Sequence, residues 1–290
     1  MIFDKPLIKE LRYAEKEKTL TLYKYITPTA LIGLLEHGDF KLTRASDAND
    51  LSELKFKYKD GSVGEYRDFG FISLSKHANH EALWGNYADK YSGACIELQI
   101  PYFSVKEGAE PKNLGEKIDF EICAPLRQQN YNAYCICYDN YDDGYDKIDN
   151  RGGDFLIKCF YNDDLCVNQV AYDANDNLNF HQSIWKLVSR KHTDWEYENE
   201  YRIVIRKERF SRFSIGLPPM FFSNEITRFI SKITLGPRCR IEPDEVEFII
   251  NERRKRMNEG ARDSYIPDKI KIIKGVIENG KATFKEKESS

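Results

Sequence analysis

No stretch of this chain stays apolar for the ~18 residues that a membrane-spanning helix needs. Charge of one sign is also missing: 44 basic and 47 acidic side chains among 290 residues leave a net charge of only -3. The first absence argues against a membrane protein. The second removes a global electrostatic pull toward nucleic acid, leaving only a local basic patch as a route to it. The N-terminal MIFDKPLIKELRYAEKEK mixes charged and apolar residues and lacks a signal-peptide core. Histidine is scarce, at five residues. His77 and His80 are spaced i, i+3, but no third ligand follows at a suggestive distance, so no metal is expected. There is no phosphate-binding glycine fingerprint, no G-x-S-x-G elbow and no H-E-x-x-H helix. The seven cysteines are odd in number and irregularly spaced, and Cys135 and Cys137 form C-x-C instead of C-x-x-C. Reduced thiols in a cytoplasmic protein are the simplest expectation.

What is present suits a soluble mixed fold. Hydrophobic residues make up 41% of the chain, enough for a core, and the 18 Tyr and 17 Phe favour strands. Residues 1–18 read as a helical leader. Leu20–Ile26 alternates as a strand, and Thr27-Pro28 opens a helix that Gly38 closes. Short strands are expected at Phe40–Thr43, Phe69–Ser75 and Gly93–Ile100, the last ended by Pro101. A loop is expected at 44–53 and a helix at Glu81–Tyr87. Residues from about 104 to 180 are acidic, Asn-rich and glycine-punctuated, and read as a loop-rich insertion with strands at Cys159–Tyr161 and Val167–Tyr172. Beyond it come a helix over His181–Lys191, a strand over Trp195–Arg206, a short helix at Ile226–Ile230 and a strand at Ile233–Gly236. A helix opened by Pro243 and stopped by Gly260 follows, then a C-terminal hairpin and tail over 265–290 turning at Asn279-Gly280. The elements interleave without a βαβ rhythm, so the expected class is α+β: one domain over 1–290, with mixed or mostly antiparallel sheets and flanking helices.

The densest polar segment is Trp195–Arg206. Strand alternation would turn Tyr201, Ile203 and Ile205 inward and put Glu198, Glu200 and Arg202 on the opposite face. Two carboxylates beside a guanidinium can bind ribose hydroxyls or stabilise a cation. Taken alone, the same face reads first as solvated, with one weak exposed ion pair. A second cluster pairs Ser73 and Ser75 on one strand face with Trp84, Tyr87 and Lys90 nearby. In its plainer form Ser75 caps a turn and Trp84 is core. Tyr23 and Tyr25 share a face of the first strand, with Lys24 between them; packing is the commoner role for such a pair. Arg253–Arg256 reads as a solvated helix end.

Several of these segments in order carry a resemblance. They are Leu22–Ile26 with Gly38, Asn49-Asp50 with Glu53, Ser73-Leu-Ser75, Trp84-Gly-Asn-Tyr-Ala88 with Gly93, Lys191-x3-Trp195-x2-Glu198-x-Glu200-Tyr-Arg202, and Ile233–Gly236. Together, over roughly residues 20–250, they resemble the bacterial family called domain of unknown function 2971. That family's acidic loop usually has proline where Leu51 stands here. More distantly, a first strand with an aromatic or basic residue, a middle strand ending Ser-x-Ser and a late strand opening Glu-x-Glu are similar to the ADP-ribosyltransferase fold. That likeness implies a split sheet and NAD as substrate. Glu200 would be the catalytic carboxylate and Glu198 would activate the acceptor. Ser73 or Ser75 would position the carboxylate, Tyr23, Lys24 and Tyr25 would contact the dinucleotide, Tyr87 would stack on nicotinamide, and Arg202 would hold the pyrophosphate or keep Glu200 ionised. The implied acceptor is protein or nucleic acid, in a toxin or phage-defence setting, with a homo-oligomer or an operon-encoded partner as the expected company. Two alternatives stand beside it: a nucleotide- or partner-binding module without chemistry, and a nuclease using Asp50, Glu53, Glu198 and Glu200 around a divalent metal.

Overall fold

The computed structural model describes residues 18–44, 55–57, 63–65, 69–104, 133–136, 155–161, 190–206, 212–214, 220–223, 226–258, 267 and 269–284. In chain order the elements are β1 (Lys18–Ile26), α1 (Pro28–His37), β2 (Phe40–Lys41), β3 (Lys55–Lys57), β4 (Val63–Glu65), β5 (Phe69–Ser75), α2 (Glu81–Asn86), β6 (Ala94–Ser104), β7 (Ala133–Ile136), β8 (Phe155–Lys158), β9 (Phe160–Tyr161) and β10 (Arg190–Lys191). A 3-10 helix (Thr193–Glu198) leads into β11 (Glu200–Arg206), β12 (Arg212–Ser214), β13 (Met220–Ser223), a second 3-10 helix (Thr227–Phe229), β14 (Ile230–Leu235), α3 (Pro243–Asn258), β15 (Lys271–Lys274), β16 (Val276–Glu278) and β17 (Lys281–Thr283). The class is α+β, with mostly antiparallel pairing; β9–β10 and β14–β15 are parallel ladders. No helix among the described residues is long and apolar enough to cross a membrane. The expected leader, the Asn49–Glu53 loop, Val167–Tyr172 and residues 181–189 of the expected helix lie outside the described residues.

The chain divides into two compact units of interleaved segments. The first draws on Met1–Leu20, Thr43–Ser73 and Pro101–Lys207. Its strands run β5-β11-β8-β7-β6. β11 sits antiparallel to β8, with Tyr201 opposite Lys158 and Arg202 opposite Ile157. Period-two alternation buries Tyr201, Ile203 and Ile205 of β11, as their types require, and Phe71 and Ile72 of β5 are buried in the same unit.

The second unit comprises Thr21–Leu42, Leu74–Ile100 and Glu208–Ser290. Here β14 pairs antiparallel with β6 and parallel with β15. Helix α1 starts as the sequence predicts: the Thr27 side chain accepts from the Ala30 N–H, and Gly38 closes the helix at φ 70°. Asn279 and Gly280, both at positive φ, turn the β16–β17 hairpin, in which Glu278 faces Lys281. Trp84 is fully buried, stacked on Tyr91 and Phe284 at ring-centroid distances of 5.5 and 4.9 Å and met edge-on by Tyr25 at 5.3 Å.

Four sequence expectations are corrected. Pro101 does not end its strand: β6 continues to Ser104. Proline lies between the residues that pair with β14 (Ala94–Leu98) and those that pair with β7 (Tyr102–Ser104), outside both of those ladders. Trp195–Glu198 is helical, not extended, so only the latter part of the expected strand exists. Arg190 and Lys191 are a strand, not a helix end. Arg253 is fully buried instead of solvated; its guanidinium donates at 3.3 Å to the Leu34 carbonyl, which also accepts the capping Gly38 N–H. Arg254 is half-buried and donates to the Pro267 carbonyl, and only Lys255 and Arg256 are exposed as expected.

Candidate functional site

The polar cluster of the first unit is assembled by three short elements around one turn. The 3-10 helix starts at His192, whose Nδ1 accepts from the Asp194 N–H, and ends at Asn199, held at φ 42° in the left-handed region. Asparagine tolerates that conformation better than most residues. The turn reverses the chain so that β11 begins at Glu200 with its carboxylate close to that of Glu198. The Glu200 backbone is held on both sides: its carbonyl accepts from the Cys159 N–H at 2.8 Å, and its N–H donates to the Tyr161 hydroxyl at 2.7 Å.

Around that fixed backbone the charges close on one another. Lys191 Nζ donates to Glu198 Oε2 at 2.5 Å and to Glu200 Oε2 at 2.7 Å. Arg202 donates through Nε to Glu200 Oε1 at 2.8 Å and through Nη2 to Oε2 at 3.2 Å. All four residues are buried, with exposures of 5% for Lys191, 4% for Glu198, 2% for Glu200 and 0% for Arg202. The expected solvated face is therefore wrong, and the error has a physical source. Alternation says only that these residues oppose Tyr201, and cannot say that the opposite face is covered too. Aromatic faces shield both cations: Arg202 lies 4.5 Å from the centroid of the Phe71 ring and Lys191 Nζ 5.0 Å from that of Trp195.

Burial alone would push the Glu200 carboxyl up; the Arg202 and Lys191 charges and their hydrogen bonds more than offset it and hold the group well below the usual carboxylate range. Burial raises the Tyr161 phenol, with Cys159 adding to the rise. Glu200 is thus a carboxylate that stays ionised. Two formal positive and two formal negative charges make the cluster neutral, which is how four ions become tolerable at such depth.

The sequence-predicted residues fall into two groups. Glu198, Glu200 and Arg202 come together, joined through Lys191 instead of by strand alternation, and Ser73 is half-buried on β5 of the same unit. Tyr23, Lys24, Tyr25, Ser75 and Tyr87 belong to the second unit. There the Tyr25 hydroxyl donates to the His77 carbonyl at 2.9 Å and accepts from the His80 N–H at 3.3 Å. Ser75 pairs with Tyr23 in the β1–β5 ladder, and its Oγ accepts from the His77 N–H at 3.0 Å, the turn-capping role. Tyr87 caps α2 through its N–H to the Leu83 carbonyl. Lys24 is half-buried. Tyr23 is raised by its partial burial and by the neighbouring Glu97 carboxylate. Glu97 in turn is held by Lys232 at 2.7 Å and by the Ser231 hydroxyl at 2.8 Å.

Asp50 and Glu53 of the nuclease alternative lie outside the described residues, and among those described no group of three His, Cys, Asp or Glu side chains could hold a metal. His77 and His80 stand in the turn before α2 instead of on a helix, their rings 5.6 Å apart. Sequence reasoning missed the roles of Lys191, Tyr161 and Phe71. Lys191 stood in the quoted family segment without a role. No spacing rule points from Tyr161 to a backbone 39 residues later.

No curated protein and no solved structure matches the chain. A family model described as "Protein of unknown function (DUF2971)" matches residues 83–203. That span takes in Trp84–Ala88, Gly93 and Lys191–Arg202, and leaves the segments around Tyr23, Ser73–Ser75 and Ile233 outside it. The resemblance to the DUF2971 family thus holds over the stretch that ends in the Lys191–Arg202 cluster.

Proposed function

We propose that the chain is an NAD-consuming enzyme of ADP-ribosyltransferase or glycohydrolase type, acting through the carboxylates of Glu198 and Glu200. The observation that carries this reading is the convergence of two buried carboxylates on a single ammonium, Lys191 Nζ, with Arg202 keeping Glu200 ionised. Breaking the bond between ribose C1′ and the nicotinamide nitrogen sends the electron pair out with nicotinamide and leaves positive charge on the sugar. A lone ionised carboxylate about 4 Å from that charge is worth about 4 kcal/mol at an effective dielectric of about 20, or about a thousandfold in rate, an upper bound for Glu200 because Arg202 and Lys191 offset part of its charge. Preorganisation adds to this, because Glu200 needs no reorientation as the charge develops. The attacking hydroxyl, amine or water would lose its proton to Glu198. Lys191 bridges the two carboxylates through their Oε2 atoms.

The closure of the same cluster favours a second reading, in which the four charges are a structural lock and the chain binds a nucleotide or partner without turnover. Nicotinamide release from NAD by the purified chain separates the two, run with and without EDTA and beside Glu198→Gln and Glu200→Gln. Glu200→Gln leaves Arg202 and Lys191 short of counter-charge and strains the fold, so the wild-type arm decides. EDTA-insensitive release from the wild type, lost in Glu198→Gln that still folds by circular dichroism, is the expected result. No release from the wild type sinks the enzyme reading.

A further inference from the structure

The parallel two-stranded ladder β9–β10 joins two residues to two, Arg190 opposite Phe160 and Lys191 opposite Tyr161. Both members of its second pair end on Glu200. Tyr161 takes the Glu200 N–H on its hydroxyl, and Lys191 takes the Glu200 carboxylate on its ammonium. We propose that the Tyr161–Lys191 pair is the positioning device of the cluster, with Tyr161 fixing the Glu200 backbone, Lys191 fixing both carboxylates in one plane of approach, and Trp195 fixing Lys191. This deepens the reading that Glu200 acts on substrate and rests on it for its effect on rate, but not for the geometry.

Three observations converge on the pair. First, the grip on Glu200 is complete on every side: the Tyr161 hydroxyl on its N–H, the Cys159 N–H on its carbonyl, and Arg202 and Lys191 on its carboxylate. Second, Lys191 Nζ reaches both Glu198 and Glu200, so one atom links the two carboxylates. Third, the lysine is itself held. Its ammonium stands 5.0 Å from the Trp195 ring centroid, and Trp195 belongs to the same 3-10 helix that delivers Glu198. A shift of Lys191 would therefore move both acids together. Neither Tyr161 nor Lys191 touches the reacting atoms in this scheme; each acts through Glu198 and Glu200.

The test compares the full chain as wild type, Lys191→Met and Tyr161→Phe, with 13C-labelled glutamate carboxyls and with NAD turnover. Lys191→Met keeps the apolar stem and removes the charge. Its Glu198 and Glu200 carboxyl signals should move, Glu200 should titrate at higher pH than in the wild type, and kcat should fall about 100-fold with KM nearly constant, as expected when a reacting group is displaced by about 1 Å. Tyr161→Phe removes one hydroxyl and should lower kcat about tenfold, again with KM held. Folded variants with unchanged carboxyl signals, or with effects confined to KM, overturn the proposal. If Lys191→Met does not fold, the 15N resonance of Lys191 Nζ in the wild type decides. Through-hydrogen-bond correlation to both Glu198 and Glu200 upholds the shared contact, and correlation to one or neither overturns it. A wild type that releases no nicotinamide removes the NAD reading while leaving the positioning claim to be judged on the carboxyl and ammonium signals.

Discussion

Replacing Arg202 by methionine isolates the central claim about the cluster, that its charges are buried and mutually neutralised. In the wild type the guanidinium has no exposed surface, makes two hydrogen bonds to the Glu200 carboxylate at 2.8 and 3.2 Å, and packs 4.5 Å from the Phe71 ring centroid. Methionine keeps much of the volume and apolar contact, so the change is mainly the loss of charge and donors. Glu200 then stays 2% exposed with Lys191 still on its carboxylate, and Lys191 is already shared with Glu198. Removing one partner of a buried ion pair costs about 3–5 kcal/mol, because it leaves an uncompensated buried charge. An exposed pair of the same residues would cost about 0–1 kcal/mol. The two ranges do not overlap, so urea unfolding followed by circular dichroism decides between them. Arg202→Met should lower the unfolding free energy by about 3 kcal/mol or more. Arg202→Met combined with Glu200→Leu should recover much of that loss, since two apolar side chains leave no orphaned charge. A single-variant cost below about 1 kcal/mol would refute the buried-network account, whatever the protein does.

Other outcomes follow from the same structure. Glu200 is held below its ordinary range, so its contribution to stability is fully present above the unfolded carboxylate value of about 4.3 and is lost as pH falls through the folded value. Urea midpoints should therefore fall on acidification below that value, and less steeply in Lys191→Met. Gly38→Ala should destabilise by at least about 2 kcal/mol in the same assay: φ is 70°, and a Cβ would stand 1.7 Å from Arg253 Nη2, expelling the guanidinium from the end of α1. Trp84→Ala should cost about 3–5 kcal/mol, with loss of near-ultraviolet dichroism from the Tyr25, Tyr91 and Phe284 stack. Trp84→Phe should cost clearly less, because the buried indole N–H has no hydrogen-bond partner to lose.

The parts of this chain that local physics governs were legible in the sequence. Thr27, Pro28 and Gly38 set the ends of α1 because capping and φ preferences act within one turn. Asn279-Gly280 set a hairpin because few other residue pairs take two consecutive positive φ angles. Tyr201, Ile203 and Ile205 marked the buried face of β11 because a strand alternates whatever packs on it. Glu198, Glu200 and Arg202 could be singled out as a cluster by residue type. What stood on their other side could not. Strand alternation is blind to whether both faces are covered, so a set of charges that reads as solvated is in fact buried. The 3-10 turn that ends at Asn199, the arrival of Lys191 from a two-residue strand, and the reach of the Tyr161 hydroxyl to a backbone 39 residues later are all set by contacts distant in sequence. Arg253 shows the same division: its place near a helix C-terminus was local information, while its burial against the end of α1, 219 residues earlier, was decided by packing. Periodicity and capping reach across a few residues; the position of a buried charge is fixed by what neutralises it, and only the tertiary structure brings that partner close.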